Sequence, residues 1–325
     1  MRAAYYEKNG AARDVLHVAE VETPKPGPGE VRVKLRTSGV NPSDVKAREG
    51  RTRKIGYPRV IPHSDGAGEI DAVGDGVPAS RKGERVWTWN GQWKRPFGTC
   101  ADYIVLPQAL ASPLPAQASF EAGACLGIPA MTAFHAVATA NVGQGTKVLI
   151  TGGAGGVGHY AIQFAKAHGA TVFTTVSSEA KAALARKAGA DHTIDYKREN
   201  VGERIMALTG KTGVDCVVEM DLAANAKFHA GWLRPRGHVV VYGTGSAEAA
   251  IPAQALLVNA IKVEFIFIYE LDAAERQAAV TAINRMLANN TLINNIALTL
   301  PLDQIAAAHE AVERGQTMGN VVVTL

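Results

Sequence analysis

The 325-residue sequence predicts an α/β protein of two domains, one β-rich and one built on a doubly wound parallel sheet. Three observations predict this. Residues Lys147–Lys166, KVLITGGAGGVGHYAIQFAK, read as strand, glycine turn and helix in immediate succession. After that stretch, short apolar runs alternate with helical segments. Before it, short alternating runs are punctuated by Gly and Pro.

The glycine turn comes first because the rest of the chain is arranged around it. Val148–Ile150 is a short apolar run of the kind buried on both faces of a parallel sheet. It leads into Gly153-Ala154-Gly155-Gly156-Val157-Gly158, a G-x-G-x-x-G, and then into Tyr160, Ala161, Phe164 and Ala165 at helical spacing. Gly153 is expected to make the sharp turn, Gly155 to let the backbone approach a pyrophosphate, and Gly158 to let helix and strand pack closely. The helix N-terminus then offers N–H groups and the positive end of a dipole to phosphates. A glycine turn of purely structural use is the alternative, but the flanking strand and helix favour a bound dinucleotide.

The β-rich part begins with Pro24, Pro26 and Pro28, an extended lead-in to Val31-Arg32-Val33-Lys34-Leu35, which alternates as a half-buried strand does. Gly66–Ile70, Gly83–Trp87 and Gly98–Val105 are further glycine-bounded strands, together suggesting a curled, partly open barrel. Phe120–Ala140 is helix-rich, interrupted by Gly127 and Pro129. Past the fingerprint, strands are expected at Thr171–Val176, His192–Ile194, Val214–Glu219, His238–Tyr242 and Ile261–Ile268. The helices between them are Ser178–Lys187, Val201–Leu208 and Ala223–Trp232. Helices at Asp272–Ala288 and Ile305–Arg314 precede a last strand, Val321–Leu325, which is expected to return to the first domain.

Composition narrows the function classes. The net charge of +4 is spread without a basic run, so neither nucleic acid nor a membrane surface is a primary partner on charge grounds. The N-terminus, MRAAYYEKNG, lacks an apolar leader, and no apolar stretch approaches ~18 residues. Cys100, Cys125 and Cys216 are three scattered cysteines, which reads as a reducing, cytoplasmic setting.

Enzymes specific for NAD place a carboxylate at the end of the second strand, about 20 residues past the glycines. Here that position reads Val176-Ser177-Ser178, with Lys181 following, two hydroxyls and an ammonium suited to a 2′-phosphate. Tyr196 follows the third strand and could meet the adenosine end. NADPH is therefore expected, the alternative being that a serine only caps the helix while Lys181 faces solvent. No metal is expected. A catalytic zinc needs Cys, His or carboxylate ligands, and the region that would supply a first thiolate reads Asn41-Pro42-Ser43-Asp44. His63 and Asp65 lie in Pro62-His63-Ser64-Asp65-Gly66 without a thiolate nearby, so His63 is expected to be a polar pocket or loop histidine.

The stretches NPSDVKAREG, HSDGAGEI, ACLGIPAMTAFHAV, GGAGGVG, VVEMDLAANAK and GHVVVYGTG together resemble the medium-chain dehydrogenase/reductase superfamily along the whole chain. Within it the chain is most similar to the zinc-free, zeta-crystallin-like quinone oxidoreductases. The resemblance implies a GroES-like catalytic domain from residues 1–120 and 269–325, a Rossmann domain at 121–268, and an active site in the cleft between them. It implies that Asn41 lies by the nicotinamide with Asp44 behind it, and that Thr132 lies near the nicotinamide ribose. Ala154, Gly155, Gly156 and Val157 would hold the pyrophosphate, and Ser177, Ser178, Lys181 and Tyr196 the adenosine phosphate. Asn225, Tyr242, Gly243, Thr244, Phe265, Ile266 and Phe267 would line the nicotinamide half, with Asn320 where relatives carry a basic residue. Lys46 stands where relatives often have Tyr, and Thr52 where an aromatic is common, so the acceptor contact differs here.

The chemistry expected is reduction of a quinone, which is electrophilic enough to need only positioning and a donor such as Asn41 near its carbonyl oxygen. An NADPH-dependent enone or enal reductase is the second expectation and a zinc alcohol dehydrogenase a distant third; a non-catalytic NADPH-binding, crystallin-like protein is the alternative from a different class. The apolar run Ile261–Ile268 would leave an exposed sheet edge unless a loop or helix of the same chain covers it or a second copy pairs with it; the family resemblance favours pairing, so a homodimer through that edge is expected.

Overall fold

The fold was analysed in a computed structural model that describes residues 1–315 and 317–325. The chain divides into two compact units, Met1–Pro129 with Val280–Leu325, and Ala130–Ala279. The sequence-based crossings at 120/121 and 268/269 fall earlier in the chain than these divisions.

In the first unit, a seven-stranded sheet runs in the order Ile296–Pro301, Asn320–Thr324, Glu30–Val40, Asp65–Val73, Arg85–Thr88 and Ala111–Pro113, with Tyr103–Pro107 also paired to Glu30–Val40. All pairs are antiparallel except the first. The strand read as Val31–Leu35 extends to Val40, because its second half carries the C-terminal strand: Val321 faces Val40 and Val323 faces Ser38. The predicted alternation is realised, with Val31, Val33 and Leu35 buried against Ile70, Val86, Ile104 and Leu106. Fully burying each such aliphatic side chain contributes about 1.5–3 kcal/mol before chain entropy is counted.

A second core, with Tyr6, Val45, Ile61, Leu302, Ile305 and Val321 among its members, ties the N-terminal segment to the C-terminal one. The helix Pro42–Glu49 joins this core through Val45, and its Ala47 is also buried. Its start is dictated locally: Pro42 stands in the first turn, and the Asp44 carboxylate accepts the Asn41 backbone N–H at 2.8 Å. Gly50 ends it in the left-handed region, at φ 77°.

In the second unit a six-stranded parallel sheet runs in the order His192–Asp195, Thr171–Val176, Lys147–Ile150, Val214–Glu219, Leu233–Val241 and Lys262–Phe265. The order reverses beside Lys147–Ile150, the topological switch at which such sheets bind ligands. Three readings change. The strand expected at His238–Tyr242 begins at Leu233, with a register shift across Pro235 and Gly237 that hid its first half from the pattern. The edge strand covers Lys262–Phe265 rather than Ile261–Ile268; Ile266 N–H still donates to Val241 O, but a 3₁₀ turn takes over at Ile268–Glu270. The helix expected at Ala223–Trp232 is broken into Leu222–Asn225, a 3₁₀ turn at Ala226–Phe228, and His229–Trp232. Asn225 and His229 both bond one carboxylate, that of Glu219, and this convergence tightens the turn between them.

Candidate functional site

In the second unit the strand Lys147–Ile150 hands over to the helix Gly156–Ala167 through Thr151–Gly155. The sharp turn falls on Gly152, at φ 69°, not on Gly153 as the spacing predicts. Gly153 is required for another reason, since a Cβ there would lie 2.2 Å from Thr174 Oγ1. At Gly158 a Cβ would lie 2.4 Å from Gly152 O, so this residue permits the close packing of helix on turn. Gly155 caps the helix, and a Cβ there would press on Gly152 O at 3.3 Å, so the turn favours a residue without a side chain. A bare glycine at the start of a twelve-residue helix, with the N–H groups of Gly156, Val157 and Gly158 lacking intrahelical partners by helix geometry, fits a dinucleotide pyrophosphate. Ala154 is buried beneath the turn.

The turn is braced from below by Glu219, at the C-terminal end of the central strand Val214–Glu219 and fully buried. Its Oε1 accepts from Thr151 Oγ1 at 3.0 Å, Asp221 N–H at 2.6 Å and Asn225 Nδ2 at 3.0 Å. Its Oε2 meets His229 Nε2 at 2.9 Å. Burial pushes this carboxyl's pKa up, but the bonds from His229, the Asp221 N–H and Asn225 outweigh it and hold the pKa below the ordinary value. The amide of Asn225 thus braces the site from within. Tyr242 N–H donates to Glu219 O, Gly243 lies against Met220 O, and Thr244 Oγ1 donates to Ser246 O at 2.8 Å, so these residues form the loop above the same strand end.

At the end of the strand Thr171–Val176 no carboxylate is present. Ser178 caps the next helix, its Oγ accepting from Lys181 N–H at 3.4 Å, so one serine of the pair has a structural duty. Ser177 and Lys181 are half-buried, and Tyr196 is 54% exposed. Thr132 is buried on the helix Met131–Thr139. Phe265 and Phe267 are exposed at the sheet edge, with Ile266 between them.

The first unit assembles a polar cluster around Asn41. The Asn41 Nδ2 donates to Asp65 Oδ2 at 2.7 Å, both residues being buried. Burial pushes the Asp65 carboxyl well above the usual range, and Asp44 beside it adds to the rise. Burial likewise lifts Asp44 to about 7 against the pull of its bond from the Asn41 backbone. His63, held in the left-handed region at φ 76°, is fully buried: its Nδ1 meets Ser38 Oγ at 2.8 Å and its Nε2 meets His309 Nε2 at 3.0 Å. Burial holds the His63 pKa down to about 3, so the pair is neutral and shares one proton between two nitrogens. His63 is therefore buried in a polar network, and its partner His309, from 246 positions away, was invisible to sequence reading. Lys46 is half-buried on the same helix as Asp44. Asn320 donates through Nδ2 to Asn295 O at 3.1 Å, also within this unit. Among the described residues no three His, Cys, Asp or Glu side chains group as metal ligands do.

Residues 27–116 match the alcohol dehydrogenase GroES-like domain family, and residues 156–285 match the zinc-binding dehydrogenase family. The quinone oxidoreductase of Rattus norvegicus is 31% identical over 329 residues, spanning 100% of this chain and 98% of the relative. The solved quinone oxidoreductase of Pseudomonas syringae superposes with a TM-score of 0.89 at 29% identity, covering 100% of this chain and 99% of that one. A mycobacterial protein solved in complex with NADPH superposes with a TM-score of 0.88 at 26% identity, each chain being covered in full (100% and 100%).

Proposed function

This chain belongs to the medium-chain dehydrogenase/reductase superfamily and, within it, to the zinc-free quinone oxidoreductase family, and on that premise we propose that it is an NADPH-dependent quinone oxidoreductase. The observation that carries this reading is the pairing of a dinucleotide cradle with an amide, Asn41, where a metal-dependent relative needs a thiolate. When bound, the reduced nicotinamide supplies a hydride equivalent. Gly155 and the helix N-terminus behind it bind the pyrophosphate, and Glu219 fixes Thr151, Asn225 and the Asp221 turn around it.

Asn41 has two amide hydrogens. One is committed to Asp65, which fixes the orientation of the amide, and the other is the donor assigned to the acceptor's carbonyl oxygen. A quinone gains charge on that oxygen as it is reduced, so one oriented amide serves it where an unactivated ketone would need a Lewis acid. A preference for NADPH is supported by Ser177 and Lys181 beyond a strand end without a carboxylate, and by the NADPH complex of the mycobacterial neighbour.

The same reading includes a homodimer through Lys262–Phe265. This strand is at the sheet edge, and Phe265, Leu257 and Val258 beside it are 68%, 79% and 73% exposed. A cytoplasmic setting is supported by three buried cysteines that are all free. The test is steady-state oxidation of NADPH by a simple quinone with and without a chelator. Turnover undiminished by the chelator supports the reading. No turnover, or turnover lost with bound zinc, refutes it.

A further inference from the structure

Arg53 stands apart from the arginines around it. Arg48 pairs with Glu313, Arg51 with Glu49 and Arg59 with Glu7, whereas Arg53 makes no ion pair with a carboxylate among the described residues. Its guanidinium is half-buried and fixed: Nη2 donates to the buried Gln92 Oε1, and the charge lies 5.4 Å from the centre of the Trp93 ring. Gln92 is itself held by its bond to Arg95 O at 2.8 Å, in a loop kept tight by left-handed Asn90 and Lys94. The field of Arg53 is felt at Tyr6 and at Asp44, in the first turn of the helix that begins after Asn41. Asp44 makes no ion pair with it among the described residues, and burial raises that carboxyl's pKa to about 7. A held, half-buried guanidinium without a counter-ion, against an indole face and beside the acceptor-binding amide, is what a planar anion would meet.

Resting on the quinone reductase reading, we propose that the acceptor class is anionic, conjugated quinones bearing a carboxylate or sulfonate, with Arg53 binding the anionic group. The reaction balances as for any quinone. A hydride from the reduced cofactor and one proton from solvent give the hydroquinone, the acceptor gaining two electrons and the cofactor losing two, while the anionic group is unchanged. A bidentate contact of this kind corresponds to about 10–100-fold in binding.

The test uses naphthoquinone sulfonate and the parent naphthoquinone with the full-length enzyme and NADPH. The ratio of their kcat/KM values should fall by about 10-fold or more in Arg53→Gln and recover in part in Arg53→Lys, which restores charge but not the fork. Using the ratio cancels any general loss of folding or cofactor binding. An unchanged ratio in Arg53→Gln overturns the inference and leaves the quinone reductase reading intact. A parallel equilibrium measurement, binding of unreactive naphthalene sulfonate and of naphthalene to the protein saturated with oxidised cofactor, is independent of turnover. If no quinone is reduced, the functional reading fails, and the binding ratio in wild type and Arg53→Gln still decides whether Arg53 is an anion site.

Discussion

Replacing Glu219 by Gln keeps the shape of the side chain and removes its charge. Four donors converge on that carboxylate, from Thr151, Asp221, Asn225 and His229, at 2.6–3.0 Å. Bonds to a charged acceptor are worth about 1.5–3 kcal/mol and neutral ones about 0.5–1.5, so the loss is about 1 kcal/mol per bond. The amide must also turn its NH₂ towards either His229 or the three donors on Oε1, and facing the donors would oppose like groups. With His229 changing tautomer the clash is avoided, and a total loss of about 2–4 kcal/mol is expected. Because the carboxylate braces the glycine turn, part of that loss should be read as NADPH affinity weakened about 10-fold, and the rest as a lower Tm.

The sign with pH follows from the depressed pKa. Glu219 contributes stability that is fully present above the unfolded-state pKa, near 4.5, and is lost as pH falls through the lower folded value. The gap in stability between wild type and Glu219→Gln should therefore shrink below about pH 4.5. Calorimetric melting across pH and titration of NADPH by fluorescence measure both quantities. A variant with unchanged Tm and unchanged NADPH affinity at pH 7 would refute the bracing argument.

Further predictions concern the cofactor, the acceptor and the assembly. Lys181→Ala should weaken NADPH by about 1–3 kcal/mol and leave NADH almost unchanged, and equal losses for both would remove Lys181 from the 2′-phosphate. Asn41→Ala should lower kcat with a quinone by about 10–100-fold with little change in NADPH affinity, and full activity would remove the proposed donor. Lys46→Tyr should shift preference towards bulkier neutral quinones that stack on an aromatic ring, an unchanged preference placing Lys46 outside the acceptor contact. Sedimentation at micromolar concentration should show a dimer that Phe265→Glu dissociates, and a wild-type monomer would refute edge pairing.

What was legible in the sequence was local. Val148–Ile150, the glycines and the apolar helix face lie within 20 residues of one another, and strand alternation at Val31–Leu35 is set by period alone. What was hidden depends on distant residues. Gly152 takes the left-handed turn, while Gly153 is needed because Thr174 of the neighbouring strand leaves no room for a Cβ there. The breaks at Ala226–Phe228 and the late recognition of Leu233–Val241 come from Glu219 and from a register shift, neither of which leaves a periodic mark. The Asn41–Asp65 bond and the His63–His309 pair join segments 24 and 246 positions apart. Asp44 entered the sequence reading only through the family resemblance, and neither its place at a helix start nor its burial-raised pKa was read from the residues. Arg53 gave no signal among its charged neighbours, because what distinguishes it is that it ion-pairs with no carboxylate among the described residues, which only the structure shows.

The central claim, hydride reduction of a quinone without a metal, is tested most directly by a single-turnover experiment in chelator. Enzyme loaded with NADPH, or with NADPH deuterated at the transferred position, is mixed with excess quinone and followed by loss of cofactor absorbance. Complete oxidation of the bound NADPH is expected, slower for the deuterated form, and slowed again in Asn41→Ala. Bound NADPH that persists in the presence of every quinone tried, or that is oxidised only after zinc is added, would contradict it.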